Sequence, residues 1–243
     1  MITVYRANTT RADLAKVELQ TPANAGSRWT PIPHRELTDT ILDECHMRGW
    51  QVKEERYALG RHGADLAGAL LLEGVKGVEV PTGQTLALGF LHSNARRRAL
   101  QITVGSSVAV CNNGMCSGQL LMQHKHDGTF DLCDEVDAAL DNYATHANTL
   151  ADGVRALQRA ELSPDMAGNI LLTAGRKKLV CWSAIGKVDA EYRKPTFADH
   201  GKDNSWALLQ AFTYAARKNI NPTQQMQTYN AFRQLLPTAV GNN

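Results

Sequence analysis

The sequence predicts an α+β fold: an antiparallel β-meander of about five strands packed on helices, with a helical C-terminal part. Short apolar runs bounded by Gly, Ser or Asn follow one another from Gln51 to Gln123, and helical patterns lie on either side of them. Runs of strands followed by runs of helices favour α+β over a parallel α/β fold. We expect an N-terminal arm or edge ribbon (1–33), an α+β core (34–163) and a helical C-terminal region packed on the core (164–243).

The N-terminal third is predicted to supply two short strands and one helix. The strands are expected at Ile2–Tyr5 and around Val17–Leu19. The helix is predicted from about Arg35 to Arg48, because apolar residues recur there at helical spacing and Gly49 is a stop signal. This helix leads directly into the meander.

The meander is predicted from five segments of β type. These segments are Gln51–Leu59, Leu66–Leu72, Leu86–Leu91, Leu100–Val104 and Val108–Cys111. Gly89, Gly105, Gly114 and Gly118 recur too often for helices, in which each Gly costs about 1 kcal/mol relative to Ala. Strands are therefore the better interpretation of these apolar runs.

Helical patterns follow the meander to the end of the chain. A long helix is predicted after Asp131, with acids in its first turns where they complement the helix dipole. Gly153 and Pro164 are the expected breaks before a helix at 164–174, and a helix followed by a loop is expected within 180–200. Two closing helices are predicted at 205–218 and 222–236, capped by Asn204 or Ser205 and by Asn221.

Composition predicts a soluble globular protein of 243 residues with 43% hydrophobic content. Apolar runs stay below the roughly 18 residues that span a bilayer, and the first residues lack the apolar block of a signal peptide, so we expect a cytoplasmic protein. The five cysteines are an odd number and widely spread, which favours reduced thiols. With no P-loop or dinucleotide fingerprint, no cofactor is predicted.

The distribution of charge indicates a binding surface that the net charge of +2 conceals. Acids are absent from Pro81 to His126, and three consecutive arginines lie in the middle of this stretch. Guanidinium groups pair bidentately with phosphate, so nucleic acid is the predicted partner; the alternative is a solvated turn that favours solubility. The predicted nucleic-acid-binding residues are Arg96, Arg97, Arg98, His92, Asn94, Lys125, Arg176, Lys177 and Lys178.

Other residue clusters have both a functional and a structural interpretation. Cys111, Cys116, His124 and His126 are of the types that bind zinc, but their spacing is loose and they are equally well explained as buried thiols and surface histidines. Cys111 next to two asparagines also resembles a thiolate site, although no catalytic partner is identifiable.

The acids from Asp131 to Asp141 could hold Mg²⁺ or contact a partner protein, or simply form an exposed first turn. Trp50, Tyr57 and Phe90 are the nearest aromatics for base stacking, and each is equally a core residue.

The segments GFLHSNARRRAL and VGSSVAVCNNGMCSGQ, the Gly49-Trp50 pair and a histidine at 124 or 126 resemble the phage and plasmid family known as domain of unknown function 932. The resemblance covers residues 30–235. The chain departs from the family pattern, which is similar to N-S-H-D-K-S, at the residues from His92 to Arg97. More distantly, the order of elements resembles Rad52-type single-strand annealing proteins, in which a sheet and helix line a basic groove.

The family resemblance implies a phage or plasmid origin, and together with the acid-free stretch around the three arginines it predicts a non-enzymatic protein of DNA metabolism and recombination. It is expected to bind single-stranded DNA in the host cytoplasm, with an oligomeric state left open. The first alternative is an accessory protein that binds and inhibits a host defence or repair protein. The second alternative is a metal-dependent nucleic-acid enzyme.

Overall fold

The computed structural model describes most of the chain as two compact units. It describes residues 9–19, 22, 25–26, 29–81, 84–108, 113–115, 120–124, 131–197, 201–216 and 225–238. The first unit contains the described parts of 1–80, 84–107 and 114–148, and the second unit contains those of 81–83, 108–113 and 149–243. In the second half of the chain the units divide between Asn148 and Thr149.

The elements alternate little: strands precede most of the helices, as predicted. The strands are β1 Gln51–Gly60, β2 Asp65–Glu73, β3 Gln84–Ser93, β4 Leu100–Val108, β5 Asn113–Met115 and β6 Leu120–His124. The helices are α1 Arg11–Leu14, α2 His34–Met47, α3 Leu132–Asp141, α4 Tyr143–Arg159, α5 Pro164–Arg176, α6 Trp182–Arg193, α7 Ser205–Ala216 and α8 Gln225–Arg233. None of the helices in the described part of the chain is long and apolar enough to cross a membrane.

The strands form one sheet in the order β1-β2-β3-β4-β5, and β6 also pairs with β4. The β1/β2, β2/β3 and β4/β6 pairs are antiparallel. Asp65, the first residue of β2, is opposite both Gly60 of β1 and Ser93 of β3. The antiparallel α+β architecture predicted from the sequence is confirmed, and this register brings the β1–β2 and β3–β4 connections to the same end of the sheet.

Alternate strand residues build the core of the first unit. Their even-numbered side chains are buried: Leu66, Leu70, Leu72, Leu86, Leu88, Phe90, Leu100, Ile102 and Val104. They pack with Leu37 and Ile41 of α2 and with Val136 and Leu140 of α3. Because the period of a strand is two, this alternation fixes the register of the sheet.

The predicted limits of α2 are correct to within one residue. The helix ends where Gly49 adopts a φ of +71°, a left-handed conformation that glycine reaches without steric cost. The predicted strand at 17–19 is not formed; α1 occupies Arg11–Leu14 instead, begun by a capping box between Thr10 and Asp13. The predicted strand at 2–5 lies outside the described residues.

The long helix predicted after Asp131 is two helices. Asp131 caps α3 through its Oδ1 atom, which accepts from the N–H groups of Cys133 and Asp134 at 2.9 and 3.2 Å. The break falls at Asn142, and α4 then directs the buried Tyr143 so that its hydroxyl donates to Ala87 O at 3.1 Å. This tertiary hydrogen bond joins the first residue of α4 to β3.

Gly153 does not break α4. A Cβ atom at Gly153 would lie 2.2 Å from Nη2 of Arg233, so this glycine makes room for a side chain of α8.

Asn204 caps α7 as predicted, its Oδ1 accepting from Ala207 N at 2.8 Å. The predicted cap Asn221 lies outside the described residues. In the second unit α7 is buried from Ser205 to Thr213, and Phe212 stacks on Phe232 with ring centroids 3.7 Å apart.

Candidate nucleic-acid interface

Two turns at one end of the sheet carry a cluster of basic residues. Residues 61–64 connect β1 to β2, and residues 94–99 connect β3 to β4. The turns are adjacent because Asp65 is opposite Ser93 and the N–H of Asn94 donates to Ala64 O at 2.9 Å. We call the surface formed by residues 61–62 and 96–98 the basic end of the sheet.

Four side chains of the basic end are exposed: Arg61, His62, Arg96 and Arg97, while Arg98 is half-buried. Arg61, His62 and Arg96 have φ values of 51°, 56° and 56°. A non-glycine residue in this region costs about 1–3 kcal/mol, and such strain clusters at functional sites. The chain keeps basic side chains at three positions where glycine would be easier to accommodate.

One carboxylate borders the basic end. Asp65 Oδ1 accepts from Ser93 Oγ at 2.6 Å, and its Oδ2 lies 3.4 Å from Nε of Arg61. Asp65 therefore holds the beginning of β2 to the end of β3. It neutralises at most one of the neighbouring cations.

His92 and Asn94, predicted to contact nucleic acid, are buried. The Asn94 amide accepts from Ile32 N at 3.0 Å and donates to Ile32 O at 2.9 Å. His92 Nε2 also donates to Ile32 O, at 3.1 Å. Both side chains connect the segment before α2 to the end of β3. Because they are buried in these contacts, we do not include them in the proposed contact surface.

His34, which the sequence analysis did not single out, connects the same elements. Its Nε2 donates to Gly63 O at 2.7 Å, and its ring packs edge-on to that of His92 with centroids 4.9 Å apart. Burial lowers the pKa of His34, against a smaller opposing effect of the Gly63 hydrogen bond. Both contacts span a large sequence separation, so no local pattern signals them.

The half-buried Trp29 contacts Arg96 of the β3–β4 connection. The guanidinium carbon of Arg96 lies 5.7 Å from the ring centroid of Trp29. A cation–π contact of this type contributes about 0.5–1 kcal/mol at an exposed site. The contact positions Arg96 while leaving it exposed.

The other predicted basic residues lie elsewhere. Arg176, Lys177 and Lys178 are exposed at the end of α5, in the second unit, and Lys178 is also left-handed with a φ of 57°. Lys125 lies outside the described residues. The structure therefore gives two basic surfaces, one on each unit.

Three of the four candidate zinc ligands lie outside the described residues, namely Cys111, Cys116 and His126. His124 is half-buried, with Nε2 3.8 Å from a carboxylate oxygen of Glu135. Within the described ranges, no three His, Cys, Asp or Glu side chains converge as a metal site would require.

Part of the acidic face of α3 is engaged in an ion-pair network. The Arg48 guanidinium at the end of α2 donates to Asp137 Oδ1, to Asp141 Oδ1 at 2.7 Å and to Glu44 Oε2. Asp131 caps α3. Because a cation already occupies the space between Asp137 and Asp141, these acids hold α2 to α3 in this structure.

The aromatics considered for stacking are core residues. Trp50, Tyr57 and Phe90 are all buried. Trp182 of α6, which the sequence analysis did not consider, has 59% of its surface exposed.

Comparison of the chain with models of protein families, with curated proteins and with solved structures gave no match. The resemblances to domain of unknown function 932 and to single-strand annealing proteins therefore stay predictions.

Proposed function

We propose that this chain is a non-enzymatic phage or plasmid protein of DNA metabolism that binds single-stranded DNA at the basic end of the sheet. The observation that carries the proposal is the set of four exposed basic side chains on two adjacent turns, three of them in left-handed backbone conformations. A protein that needed only a solvated turn would have no reason to retain basic side chains at strained positions.

The electrostatics favour a polyanion. The guanidinium groups of Arg61, Arg96 and Arg97 are permanently charged, and each offers a fork of donors that matches phosphate. Neutralising phosphates releases counterions, so affinity should fall linearly with salt on a double-logarithmic plot. A surface held on a rigid sheet by buried hydrogen bonds presents these groups at little entropic cost.

The proposal is tested by titrating fluorescent single-stranded and duplex DNA at several salt concentrations with wild type and with the triple variant Arg96→Ala, Arg97→Ala, Arg98→Ala. If each arginine meets one phosphate, the variant loses up to about two units of salt slope on single strands, at about 0.7 unit per phosphate. The matched control is Lys76→Ala, which removes an exposed cation from the connection at the opposite end of β2. Equal, negligible binding by wild type and variant at low salt would contradict the proposal.

A second variant separates binding from stability. Replacing Arg61 and Arg96 with glycine relieves left-handed strain at both positions, so we expect unchanged or higher thermal stability together with weaker DNA binding. A loss of stability parallel to the loss of binding would indicate that these side chains are structural.

The two alternatives have less support. A host protein that recognises the acidic face of α3 would have to compete with Arg48 for Asp137 and Asp141. A metal ion at the same carboxylates would have to displace the same guanidinium. Pull-down from host lysate with nuclease treatment distinguishes the host-protein alternative from direct nucleic-acid binding. Partner proteins that are still recovered after the nuclease treatment would favour the host-protein alternative.

A further inference from the structure

The beginning of α6 presents a large exposed aromatic side chain. Trp182 is 59% exposed, whereas Trp50 and Trp206 are buried and Trp29 is half-buried. Tryptophan offers more apolar area than any other side chain, and leaving it in water forgoes a large gain from burial. Such a residue marks a binding surface when its neighbours have a matching chemistry.

The indole is held in place at its outer edge. A Cβ atom at Gly175 of α5 would lie 3.0 Å from Cη2 and Cζ3 of Trp182 and 2.8 Å from Cδ1 of Ile185. A side chain at residue 175 would therefore displace both residues of α6. The glycine lets the far end of the ring lie against the backbone of α5 while most of the indole stays exposed, which is the arrangement of a fixed platform.

The platform is adjacent to the second basic surface. The exposed cations Arg176, Lys177 and Lys178 follow directly after Gly175, and the N–H of Lys178 closes the turn by donating to Gly175 O at 3.0 Å. Lys187 is a further exposed cation on α6. The glycine that contacts Trp182 therefore begins the basic turn.

The surrounding sequence has no negative charge to offset these cations. No acid lies between Asp165 and Asp189 in the chain, and Asp189 is paired with Arg193, whose Nε lies 2.8 Å from its carboxylate. This is a second acid-free stretch, separate from the one around the arginine triplet. Its field attracts anions and disfavours a basic partner.

We propose that Trp182 and the basic turn 176–178 form a binding site for single-stranded nucleic acid, in which a base stacks on the indole and adjacent phosphates meet the cations. The proposal rests on the proposed function, because the ligand is of the same class. Stacking on an aromatic side chain beside a basic groove is how single strands are bound without sequence preference. Paired bases in a duplex hide their faces, so the site selects for single strands. Self-association through this surface is disfavoured because it would bring like charges together.

The test measures affinity and tryptophan fluorescence with an oligothymidylate of about 20 nucleotides and a duplex of equal length. Trp182→Ala should weaken binding of the single strand about tenfold with an unchanged salt slope, because stacking releases no counterions. Trp182→Phe should retain most of the affinity but lose the fluorescence quenching that binding causes. Lys177→Ala with Lys178→Ala should lower the salt slope by up to about 1.4. Met47→Ala, which removes an exposed apolar side chain from the first unit, is the matched control and should change nothing.

The outcomes separate this inference from the proposed function. If wild type fails to bind DNA at low salt, both are overturned. If the arginine-triplet variant weakens binding and Trp182→Ala does not, the stacking site alone is overturned. If Trp182→Ala leaves DNA binding unchanged and converts an oligomer to a monomer in sedimentation, the exposed indole belongs to an interface between copies of the chain. Because the indole packs against Gly175 at one edge, Trp182→Ala should lower the melting temperature without unfolding the protein, and circular dichroism checks that the variant is folded at the temperature of the titration.

Discussion

Replacing Arg48 with alanine should lower the free energy of unfolding by about 2–4 kcal/mol. The Arg48 side chain is 17% exposed and joins the end of α2 to α3. Burial alone would lower its pKa, but hydrogen bonds to Asp137, Asp141 and Glu44 outweigh that effect and raise the pKa above its ordinary value. The guanidinium therefore stays charged throughout the accessible pH range.

The magnitude follows from the exposure of the three carboxylates. Asp137 and Asp141 are 56% and 68% exposed, so solvent screens them and each pair contributes about 0.2–1 kcal/mol. The Glu44 side chain is 10% exposed, and without Arg48 its charge would be left buried and unpaired, at a cost of about 1–3 kcal/mol. Most of the loss should therefore come from Glu44.

Urea unfolding followed by circular dichroism measures the total effect, and hydrogen exchange of the α2 and α3 amides locates it in the first unit. The variant Asp137→Asn with Asp141→Asn should cost no more than about 2 kcal/mol. Adding Glu44→Gln to Arg48→Ala should recover at least about 1 kcal/mol, because the unpaired charge is removed. If the two changes instead add their costs, or if Arg48→Ala costs no more than the aspartate pair, the assignment of the loss to Glu44 is refuted.

Three further predictions concern the core, pH and the thiols. Gly68→Ala should destabilise the protein by about 1–3 kcal/mol in urea unfolding, because the added Cβ would lie 2.0 Å from Cζ of Phe90. Adding Phe90→Leu should recover part of the lost stability, and an unchanged stability of Gly68→Ala would contradict this packing. Because burial lowers the pKa of His34, the unfolded state binds more protons than the folded state below about pH 6.5, and stability should fall as the pH drops below that value. If His34→Gln has the same slope of melting temperature against pH as wild type, the prediction fails. Alkylation at neutral pH, followed by peptide mapping, should show that Cys181 is modified faster than Cys133. A hydrogen bond with Ser183 lowers the pKa of the Cys181 thiol, whereas desolvation and nearby carboxylates raise the pKa of the Cys133 thiol. The reverse order of modification would contradict this prediction.

The sheet was predictable because its signals are local. Alternation and turn residues define β1 to β4 within the segments that carry them, and Gly49 ends α2 without help from the rest of the fold. The hydrogen bond from Tyr143 to Ala87 was not predictable, because it joins residues far apart in sequence. The prediction of a helix break at Gly153 was wrong, because the packing of this glycine against Arg233 is visible only in the fold.

The site divides in the same way. The arginine triplet is visible in the sequence, but Arg61 and His62 join it only through the register of three strands. Nothing local distinguishes the buried Trp50 from the exposed Trp182. The absence of acids between Asp165 and Asp189 is a signal that could have directed attention to Trp182, because a basic, acid-free stretch with one tryptophan has the composition of a single-strand binding site.

Two basic surfaces on one chain predict how affinity depends on the length of the DNA strand. If one strand engages both the basic end of the sheet and the site at Trp182, the second contact becomes intramolecular, and affinity should rise by about 10²–10⁴ once the strand is long enough to reach both. A series of oligothymidylates of increasing length should therefore show a step in affinity. Either the arginine-triplet variant or Trp182→Ala should remove the step while leaving short strands bound by the surface that is still intact. A smooth increase with length in wild type would contradict the prediction that one strand engages both surfaces.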